Sequence, residues 1–522
     1  VAVFGLVTRA FLILLRNMSG SPGSTEQLSE AYMQMVADLR AVFNSGRTKD
    51  IEWRRRQLQN LIKGIQENHE AIQVAINADL GGPKMRALPE MAASVTDAEH
   101  ALANLDRWVK PQVMKNNEIT DFQSTCKVRP EPKGVTLNIA TWNFPFIMCF
   151  QPLVPALAAG NCMVVKPSEK APRSAEVIEK IIDGYLDKDC IRCVHGGVPA
   201  AEALLSQQWD HIFYTGNSVV GRVVMQAAAK HLTPVTLELG GKSPVFIDKT
   251  ADMKAVVNRL FFAKSLNQGQ ACVAPDYVLI DESRETEFVD MFNKQVAASN
   301  FGAGSKDNPN WGKIIDGKHT NRLKHLIETC GGNVVCGGAD DVDVEAQHVP
   351  ISVLQNVNLD APVMQEEVFG PVLPVIPLKN MDDGIRFVKE RERPLALYVF
   401  SQDKRFQERV LHECESGGAC VNTAFEHLAN KEAPFGGTGS SGMGRYHGKF
   451  GFDEFSHHRT ILYKRGSAAC MPPVEQQPEW LYDVALKVAV IGFLKPKTKR
   501  KLRVAALGAL GLVLAATLRR LF

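Results

Sequence analysis

Hydrophobic residues follow two different spacings along this chain, and each spacing predicts a different secondary structure. In residues 27–79 they recur at intervals of three and four, as in Leu58, Leu61 and Ile65, with charged residues between them. This spacing places apolar side chains on one face of a helix, so it predicts a helical amino-terminal region. From Val135 onward, short runs rich in branched apolar residues predict strands instead.

Strands and helices then alternate in two successive sets. The first set has predicted strands at 135–140, 163–166 and 212–214 and predicted helices at 174–187 and 219–229. The second set has predicted strands at 245–247, 277–280 and 372–376 and predicted helices at 251–265 and 284–298. Alternation of this kind predicts parallel α/β sheets. We therefore expect two Rossmann-like α/β domains, with their boundary near Thr236.

Both ends of the chain depart from this pattern. Residues 1–17 are apolar with two arginines and no acid. They fit either a targeting segment or translated sequence upstream of the true start, and we leave them unassigned. Residues 504–518 carry no charge and follow the basic stretch Lys495–Arg503. A helix of that length spans about 22 Å, short of the ~30 Å hydrocarbon core, but flanking arginines can reach the headgroups. We expect a membrane tail anchor, against the alternative of a buried terminal helix.

Size, charge and cysteine content exclude several classes of protein. The chain has 522 residues, 45% of them hydrophobic and 22% charged, which indicates a globular protein of two or more domains. A net charge of +3, most of it in the tail, gives no basis for nucleic-acid binding. Eleven irregularly spaced cysteines favour a reducing compartment over a disulfide framework. The single CxxC, Cys190–Cys193, lacks a second ligand pair, so no metal site is expected.

Three separate segments supply the residue types needed for chemistry at a carbonyl carbon. Cys272 stands among small and uncharged neighbours, Glu238 lies in Leu237–Pro244, and Asn143 lies in the turn Thr141–Pro145. A thiol is a nucleophile, a carboxylate is a base, and a side-chain amide can stabilise an oxyanion. A lone cysteine is more often a packing residue. The three motifs together predict Cys272, Glu238 and Asn143 as catalytic residues.

Two predicted strand ends carry residues suited to a dinucleotide. Lys166, Ser168 and Glu169 follow one strand, and a lysine and a carboxylate there can hydrogen-bond the ribose hydroxyls of an adenosine. Gly216 and Gly221 connect another strand to a helix, where backbone N–H groups can face a pyrophosphate. Neither segment is specific alone, because a solvated loop resembles the first and the second lacks the G-x-G-x-x-G pattern.

A further segment places an acid and an aromatic residue beside a sharp turn. Glu367 and Phe369 lie in the run Glu367–Pro371. One interpretation is a simple helix end. The functional interpretation is that Glu367 binds the ribose on the nicotinamide side and that Phe369 packs on the nicotinamide ring.

Together these motifs resemble the aldehyde dehydrogenase superfamily over most of the chain, from about Leu28 to Arg465. The most specific matches are Leu237–Pro244, Gly269–Leu279, Glu366–Pro371 and Ala433–Gly444. The runs Cys272–Tyr277 and Tyr446–Phe452 resemble class 3 members, a class that includes membrane-anchored fatty aldehyde dehydrogenases. Thr141 departs from the pattern, because many members have proline there.

The resemblance implies NAD(P)-dependent oxidation of an aldehyde to a carboxylic acid. Cys272 would form a thiohemiacetal and then a thioester, with the oxyanion held by Asn143 and by the Cys272 backbone N–H. Glu238 would activate water to release the acid. A cationic nicotinamide or a helix terminus would have to favour the thiolate. Glu169 would repel a 2′-phosphate, which favours NAD as the cofactor without excluding NADP.

The resemblance also implies a domain plan and a partner. Two Rossmann-like domains, for cofactor binding and catalysis, would be joined by a small β oligomerisation element that forms a homodimer through residues 123–138 and 452–464. The expected divisions are an unassigned extension (1–26), the cofactor domain (27–236), the catalytic domain (237–430), a return to the cofactor domain (431–465), a linker with an amphipathic helix (466–503) and the anchor (504–522).

An anchor would hold the active site near a bilayer, where long-chain aldehydes partition. Medium- to long-chain fatty aldehydes are therefore the expected substrates, with the enzyme facing the cytosol on the mitochondrial outer membrane or endoplasmic reticulum, or on lipid droplets. The alternatives are a dehydrogenase of small semialdehydes or aromatic aldehydes with an incidental anchor, a non-catalytic membrane scaffold, and a cysteine hydrolase, which would need a histidine partner.

Overall fold

The computed structural model describes residues 25–115 and 124–464, together with the isolated positions Glu479 and Tyr482. The unassigned segment 1–17 and the expected anchor, 504–522, lie outside the described residues, as does nearly all of the expected linker, 466–503. Within the described ranges, no helix combines the length and the apolar character needed to cross a bilayer.

Helices and strands are numbered along the described chain. The helices are α1 (Thr25–Asn44), α2 (Ile51–Glu67), α3 (His69–Leu80), α4 (Ala87–Trp108), α5 (Pro145–Ala159), α6 (Pro172–Tyr185), α7 (Val198–Leu205), α8 (Ser218–Ala229), α9 (Met253–Ser265), α10 (Glu285–Ser299), α11 (Gly317–Glu328), α12 (Pro362–Gln365), α13 (Met381–Lys389), α14 (Lys404–Glu413) and α15 (Gly448–Glu454). The strands are β1 (Gln112–Val113), β2 (Ser124–Pro132), β3 (Val135–Ile139), β4 (Cys162–Lys166), β5 (Ile191–Cys193), β6 (His211–Thr215), β7 (Val235–Glu238), β8 (Pro244–Ile247), β9 (Tyr277–Asp281), β10 (Asn333–Cys336), β11 (Ser352–Gln355), β12 (Val372–Leu378), β13 (Ala396–Phe400), β14 (Gly418–Val421), β15 (Gly442–Met443) and β16 (Ser456–Lys464).

The predicted secondary structure is confirmed. The region 27–79 is helical, and each strand and helix predicted between 135 and 376 is present, with ends that differ by two residues at most. In α2 the Asp50 side chain accepts hydrogen bonds from the backbone N–H groups of Glu52 and Trp53, which caps the helix at its start. The apolar positions that predicted this helix are buried in the core.

The first parallel sheet has the order β15-β7-β6-β3-β4-β5, in which β15 alone runs antiparallel to its neighbour β7. The chain enters this sheet at β3, adds β4 and β5 on one side of β3, and then adds β6 and β7 on the other side. A crevice therefore opens beyond the carboxyl end of β3, where the strand order reverses, and ligands of open α/β sheets bind at such a point.

The second sheet has the order β10-β11-β12-β9-β8-β13-β14, parallel except for β10. The chain passes from one sheet to the other between β7 and β8, at residues 239–243, which is slightly later than the boundary expected near Thr236. The difference arises because Thr236 itself pairs with Phe213 of β6 in the first sheet. Apolar alternation alone did not show where pairing with that sheet ends.

A third, small sheet has the order β1-β2-β16. Its longer strands, β2 and β16, lie within the expected bridging segments 123–138 and 452–464, but residues 135–138 belong to β3 of the first sheet. Residues 25–113 and 127–461 of the described chain form one unit, which contains both large sheets and every candidate catalytic and cofactor-binding residue. Described residues 114–115, 124–126 and 462–464 are assigned to a second unit.

Helix α5 is an exception to local helix propensity, because Pro152 and Pro155 lie inside it. Proline has no N–H to donate to the carbonyl four residues earlier, which for Pro152 is the carbonyl of Met148. The side-chain amide of Asn138 on β3 donates to that carbonyl at 3.1 Å. A long-range side-chain contact therefore replaces the missing helix bond and ties α5 to the first sheet.

Candidate active site

Cys272 lies in a loop whose shape depends on an unusual backbone. After α9, a short 3-10 helix spans Leu266–Gly269, and within it Asn267, Gln268 and Gly269 have φ angles of 52°, 52° and 68°. The chain there lies against Gly370, because a Cβ on Gly269 would come 2.4 Å from its carbonyl oxygen. Glycine is required at this position both for the left-handed φ and for the close approach.

Asn143 is held against the same loop. The Asn143 side-chain amide donates to the backbone carbonyl of Gln270 at 3.1 Å. The Asn143 backbone carbonyl accepts from the Asn267 side-chain amide at 2.6 Å. The Asn143 side-chain oxygen is buried and has no hydrogen-bond partner among the described residues. The structure therefore brings Asn143 to the loop that carries Cys272, two residues before the thiol.

The turn that carries Asn143 is itself positioned by a residue that the sequence did not single out. The buried carboxylate of Glu90, on α4, accepts from the backbone N–H of Phe146 at 2.9 Å and from that of Ile147 at 3.5 Å. It therefore occupies the start of α5, where backbone N–H groups have no partner within the helix. Burial raises the pKa of Glu90 to about 7.

Glu238 is the last residue of β7 and is almost completely buried. Its backbone carbonyl accepts from the N–H of Gly216 at 3.0 Å, which joins the catalytic strand to the predicted pyrophosphate turn. Within the described chain, neither of its carboxylate oxygens has a hydrogen-bond partner. Burial, followed by the negative charge of Glu454, raises the pKa of Glu238 well above its ordinary value.

The Cys272 thiol is half-buried, and its surroundings disfavour the thiolate. Burial raises the pKa of this thiol to about 12, and the charges of Glu367 and Glu238 act in the same direction. Hydrogen bonds from the backbone N–H groups of Cys272 and Val273 lower the pKa, but they do not outweigh burial. Cys272, Glu238 and Glu367 therefore share one electrostatic environment.

The segment around Glu367 is a turn outside any helix, because α12 ends at Gln365. A Cβ on Gly240 would come 2.0 Å from a carboxylate oxygen of Glu367, so glycine is needed there for this close approach. Burial and then the charge of Asp276 raise the pKa of Glu367 to about 8. The segment lies against the strand end that carries Glu238.

Phe369 also reaches the site. Its backbone has a φ of 45°, an uncommon conformation for a residue other than glycine. Its half-buried ring meets Trp142 edge-on, with 5.5 Å between the ring centroids. Since Trp142 immediately precedes Asn143, the structure brings the Glu367 turn and the Asn143 turn together.

Several buried polar side chains brace these loops and were not predicted. Lys242 forms an ion pair with the buried Asp276, and the other Asp276 oxygen accepts from the Val368 N–H at 2.9 Å. Lys264, fully buried, donates to the Gly370 carbonyl at 3.0 Å. Lys242 and Asp276 lie inside two of the four most specific sequence motifs, but nothing in either motif indicated that they pair with each other.

The predicted adenosine-binding residues lie at the carboxyl end of β4, beside the crevice beyond β3. Lys166 is buried, and its amine contacts a carboxylate oxygen of Glu169 at 3.4 Å and the Pro167 carbonyl at 3.2 Å. Ser168 is buried and its hydroxyl accepts from the N–H of Lys170 at 3.3 Å. Glu169 is half-exposed, so its carboxylate is accessible to a ligand.

The two glycines beyond β6 have different positions. Gly216 ends the strand, and the next residue, Asn217, caps α8 by accepting from the Val220 N–H at 2.9 Å. Gly221 faces the body of the protein instead, where a Cβ would lie 2.9 Å from a Leu239 methyl group. Gly221 therefore allows α8 to pack closely on the sheet, and Gly216 is the one of the two that borders the crevice.

These residues fit a nicotinamide dinucleotide. Lys166 and Gly216 lie on opposite sides of the strand reversal at β3, where a pyrophosphate is expected. Val219 and Val223 on α8 are exposed apolar residues beside the same strand ends, suited to contact with an adenosine. At the catalytic end of the proposed dinucleotide site, Gly240 leaves room for the Glu367 carboxylate.

Among the described residues, disulfide, metal and cysteine–histidine chemistry involves none of those named above. The ten cysteines in the described ranges, including Cys190 and Cys193, are all free thiols. In the part of the chain that the structure covers, no group of three or more His, Cys, Asp or Glu side chains is arranged to hold a metal. A cysteine–histidine contact does exist, but it joins Cys420 to His427 at 3.1 Å and does not involve Cys272.

Comparison with known proteins agrees with this geometry. A model of the aldehyde dehydrogenase family matches residues 24–461. The chain is 43% identical over 430 residues to aldehyde dehydrogenase family 3 member A2 of Macaca fascicularis, covering 82% of this chain and 87% of that protein. It is 40% identical over 432 residues to a dog (Canis lupus familiaris) protein named aldehyde dehydrogenase, dimeric NADP-preferring, covering 83% of this chain and 94% of that one.

A solved structure shows the same fold. The substrate-bound state of Staphylococcus aureus AldH superposes with a TM-score of 0.82 and 37% sequence identity, covering 87% of this chain and 98% of that chain.

Proposed function

The chain belongs to the aldehyde dehydrogenase family, and from this premise we propose that it oxidises medium- to long-chain fatty aldehydes through a thioester on Cys272. It is an NAD(P)-dependent aldehyde dehydrogenase. The proposal concerns the substrate and the part that each residue plays. The residue roles rest on the buried Glu238, whose carboxylate has no hydrogen-bond partner in the described chain and whose charge acts on the Cys272 thiol. The substrate class rests on the charge-free segment 504–518, which would hold the enzyme near a bilayer.

The reaction begins with loss of the Cys272 proton. When bound, the oxidised nicotinamide cofactor supplies a hydride acceptor and a positive charge beside the thiol. The thiol proton passes to the ionised form of Glu238, whose raised pKa makes that carboxylate a stronger base than an exposed glutamate. The sulfur then forms a bond to the aldehyde carbon, and the carbonyl oxygen takes on the negative charge.

Two donors stabilise that oxyanion. The Asn143 amide has two N–H groups; one bonds to the Gln270 carbonyl, and the second remains for the oxyanion. The backbone N–H of Cys272 is the other donor. A donor of this kind is worth about 3 kcal/mol in a site that excludes water. When the hydride leaves the thiohemiacetal carbon, the carbonyl re-forms and an acyl thioester remains on Cys272.

Glu238 then completes the cycle by activating water. Once the thiol proton has passed from Glu238 to solvent, the free carboxylate oxygens can bind a water molecule and accept a proton from it as the hydroxide attacks the thioester carbon. The carbon–sulfur bond breaks, the acid leaves and the thiolate is restored. A protein hydrogen bond to Glu238 would compete with this water.

The cofactor-binding residues have distinct proposed roles. Lys166 and Glu169 bind the adenosine ribose, Gly216 borders the pyrophosphate, Glu367 binds the second ribose, and Phe369 packs on the nicotinamide. Glu169 favours NAD, because its carboxylate would repel a 2′-phosphate. Competitive titration of NAD against NADP tests this preference.

A chain-length series tests the substrate proposal. Detergent-solubilised full-length protein is assayed with straight-chain aldehydes of increasing length, by NADH absorbance. We expect kcat/KM to rise from short to long chains, because each buried methylene adds about 0.8 kcal/mol of binding. A profile that favours small semialdehydes or aromatic aldehydes would contradict the fatty substrate and leave the aldehyde dehydrogenase activity intact.

Membrane attachment is a separate proposal that rests on the charge-free segment 504–518 and the basic stretch before it. The enzyme would face the cytosol on the mitochondrial outer membrane, the endoplasmic reticulum or lipid droplets, with the bilayer as its partner. The protein truncated after Leu494 should lose sedimentation with membranes. If the truncated protein still sediments, the tail is not the anchor.

A homodimer is proposed through the segments 123–138 and 452–464. In support, β16 is an edge strand of the small sheet, and most of its residues are exposed. Sedimentation velocity of the solubilised protein should give twice the monomer mass. A monomer at micromolar concentration would contradict the proposal.

A further inference from the structure

A row of hydrogen-bonded polar side chains, two of them completely buried, leads to a second carboxylate near Glu238. The row begins at Lys133, whose amine contacts His211 Nδ1 at 3.1 Å. His211 Nε2 contacts the Thr236 hydroxyl at 2.9 Å, and that hydroxyl donates to Glu454 Oε1 at 2.7 Å. Thr236 and His211 are completely buried.

The chemistry of these groups fixes the direction of every hydrogen bond. The Thr236 hydroxyl has one proton, which goes to Glu454, so His211 must donate from Nε2. His211 Nδ1 then has a free lone pair, which accepts from Lys133. Burial and the charge of Lys133 lower the pKa of His211 well below its ordinary value, so the ring is neutral, as this pattern requires.

The row holds Glu454 in place. Glu454 is the last residue of α15, where the helix dipole disfavours a negative charge. Its carboxylate is nevertheless fixed by Thr236, with His211 Nε2 at 4.0 Å. A Cβ on Gly444 would lie 3.0 Å from the same carboxylate oxygen, so the absence of a side chain at that position gives the carboxylate its space.

The strand that carries Thr236 also carries Glu238. Both belong to β7, and because strand side chains alternate, residues two apart point to the same face, with Cα atoms roughly 7 Å apart. The Glu454 carboxylate, bonded to Thr236, therefore lies beside the face on which Glu238 ends. In a buried setting two negative charges at such a distance disfavour each other.

We propose that Glu454 is a positioning residue for aldehyde oxidation: held by Thr236, it places a second negative charge beside β7 and acts on the reaction through Glu238. The inference rests on the proposed role of Glu238 as the base. With Glu454 charged, Glu238 keeps its proton to a higher pH and is a stronger base once ionised. Glu454 is not itself placed in contact with substrate or cofactor.

Other charges around Glu454 and Glu238 limit which variants isolate this effect. Lys133, in the connection before β3, and His211, on β6, face Glu454. Lys449 and Asp453 share its helix, and Cys272 and Tyr446 are titratable groups in the electrostatic environment of Glu238. On α4, Asp97 and His100 lie near Gly448 at the opposite end of α15. Helix α5, which also packs on α15, contains no charged residue.

The test is the pH dependence of kcat in the full-length enzyme, from about pH 5 to pH 9. Glu454→Gln should move the acidic limb to lower pH by about one unit, because Glu238 then ionises more readily. Glu454→Asp keeps the charge and should return the profile toward the wild type. Asp453→Asn is the matched control: it removes a carboxylate from the neighbouring residue, which pairs with Lys449 and His458, and should leave the limb in place.

A profile of folded Glu454→Gln that coincides with the wild type would overturn the inference. Where Glu454→Gln does not fold, Thr236→Val releases the carboxylate without removing a charge, and it should shift the limb in the same direction by less; an unshifted profile again contradicts the inference. Glu238→Gln separates the two proposals. Retained turnover in Glu238→Gln would contradict the proposed function, whereas an inactive Glu238→Gln beside an unshifted Glu454→Gln would contradict the role of Glu454 alone.

Discussion

The proposed catalytic residues and the loops that hold them satisfy their polar atoms in opposite ways. Glu238 and the Asn143 side-chain oxygen are buried and lack hydrogen-bond partners within the described chain. In the supporting loops, by contrast, Asp276 bonds to both Lys242 and the Val368 N–H, and Lys264 bonds to the Gly370 carbonyl. Unpaired buried groups cost stability, so a protein keeps them where a ligand will complete the bonding. The paired groups keep the loops rigid around them.

This contrast predicts that variants of the two regions fail in different ways. Changes at the unpaired groups should remove activity and leave the fold intact or slightly more stable. Changes at the paired groups should weaken the fold first. Each variant below therefore needs two measurements, turnover and unfolding.

Cys272→Ala should have the largest effect, a fall in turnover of at least about 1,000-fold, because the nucleophile is gone. Unfolding by urea should be close to the wild type. Cys336→Ala is the matched control, since Cys336 is also half-buried but bonds only weakly to the Ile351 carbonyl, at 3.7 Å. Oxidation that persists in Cys272→Ala would move the nucleophile elsewhere.

Asn143→Ala should reduce kcat by about 100-fold, which corresponds to the loss of one oxyanion donor. KM should change much less, because the oxyanion forms after binding. Steady-state kinetics with one aldehyde provides both values. An effect confined to KM would mean that Asn143 positions substrate and does not stabilise the oxyanion.

Asp276→Asn tests the loops that the paired side chains hold. It should lower the free energy of unfolding by about 3 kcal/mol, because it leaves Lys242 without its buried partner. Urea unfolding followed by fluorescence measures it. The control is Asp290→Asn on the exposed surface of α10, which should change stability very little. If Asp276→Asn were as stable as this control, the Lys242–Asp276 ion pair would not contribute to the stability of the fold.

Glu169→Gln should have the smallest effect, a rise of less than about tenfold in the kcat/KM ratio of NADP to NAD, because a half-exposed charge is screened by water. Glu176→Gln, a charge change on the exposed face of α6, should leave the ratio unchanged. No change in Glu169→Gln would place cofactor choice at another residue.

The sequence predicted the parts of this molecule that depend on local pattern. Apolar spacing located three strands of each large sheet within two residues, since buried parallel strands are short apolar runs. Motif chemistry indicated Cys272, Glu238 and Asn143, which the structure places around one loop system. The chain passes between the sheets at residues 239–243 because strand pairing, which the pattern does not encode, decides where a sheet ends; the domain boundary near Thr236 stays a prediction.

The supporting contacts could not be predicted because their partners are distant in the chain. Glu90 caps α5 from 56 positions away, and Asn138 replaces a bond that Pro152 removes from the same helix. Gly221 packs against Leu239, a contact that its motif did not indicate, and its place beside the cofactor stays a prediction. In each case the role depends on which element lies opposite, and only the tertiary fold shows that.

The central claim is that an acyl group resides on Cys272 until Glu238 releases it, and the mass of the intact protein tests this directly. Glu238→Gln is mixed with an aldehyde and NAD, quenched in acid and analysed by mass spectrometry with peptide mapping. We predict one acyl group per chain, attached to the peptide that contains Cys272, with one equivalent of NADH formed in a burst and little turnover afterwards. An unmodified Cys272, or an acyl group on another residue, would contradict the account.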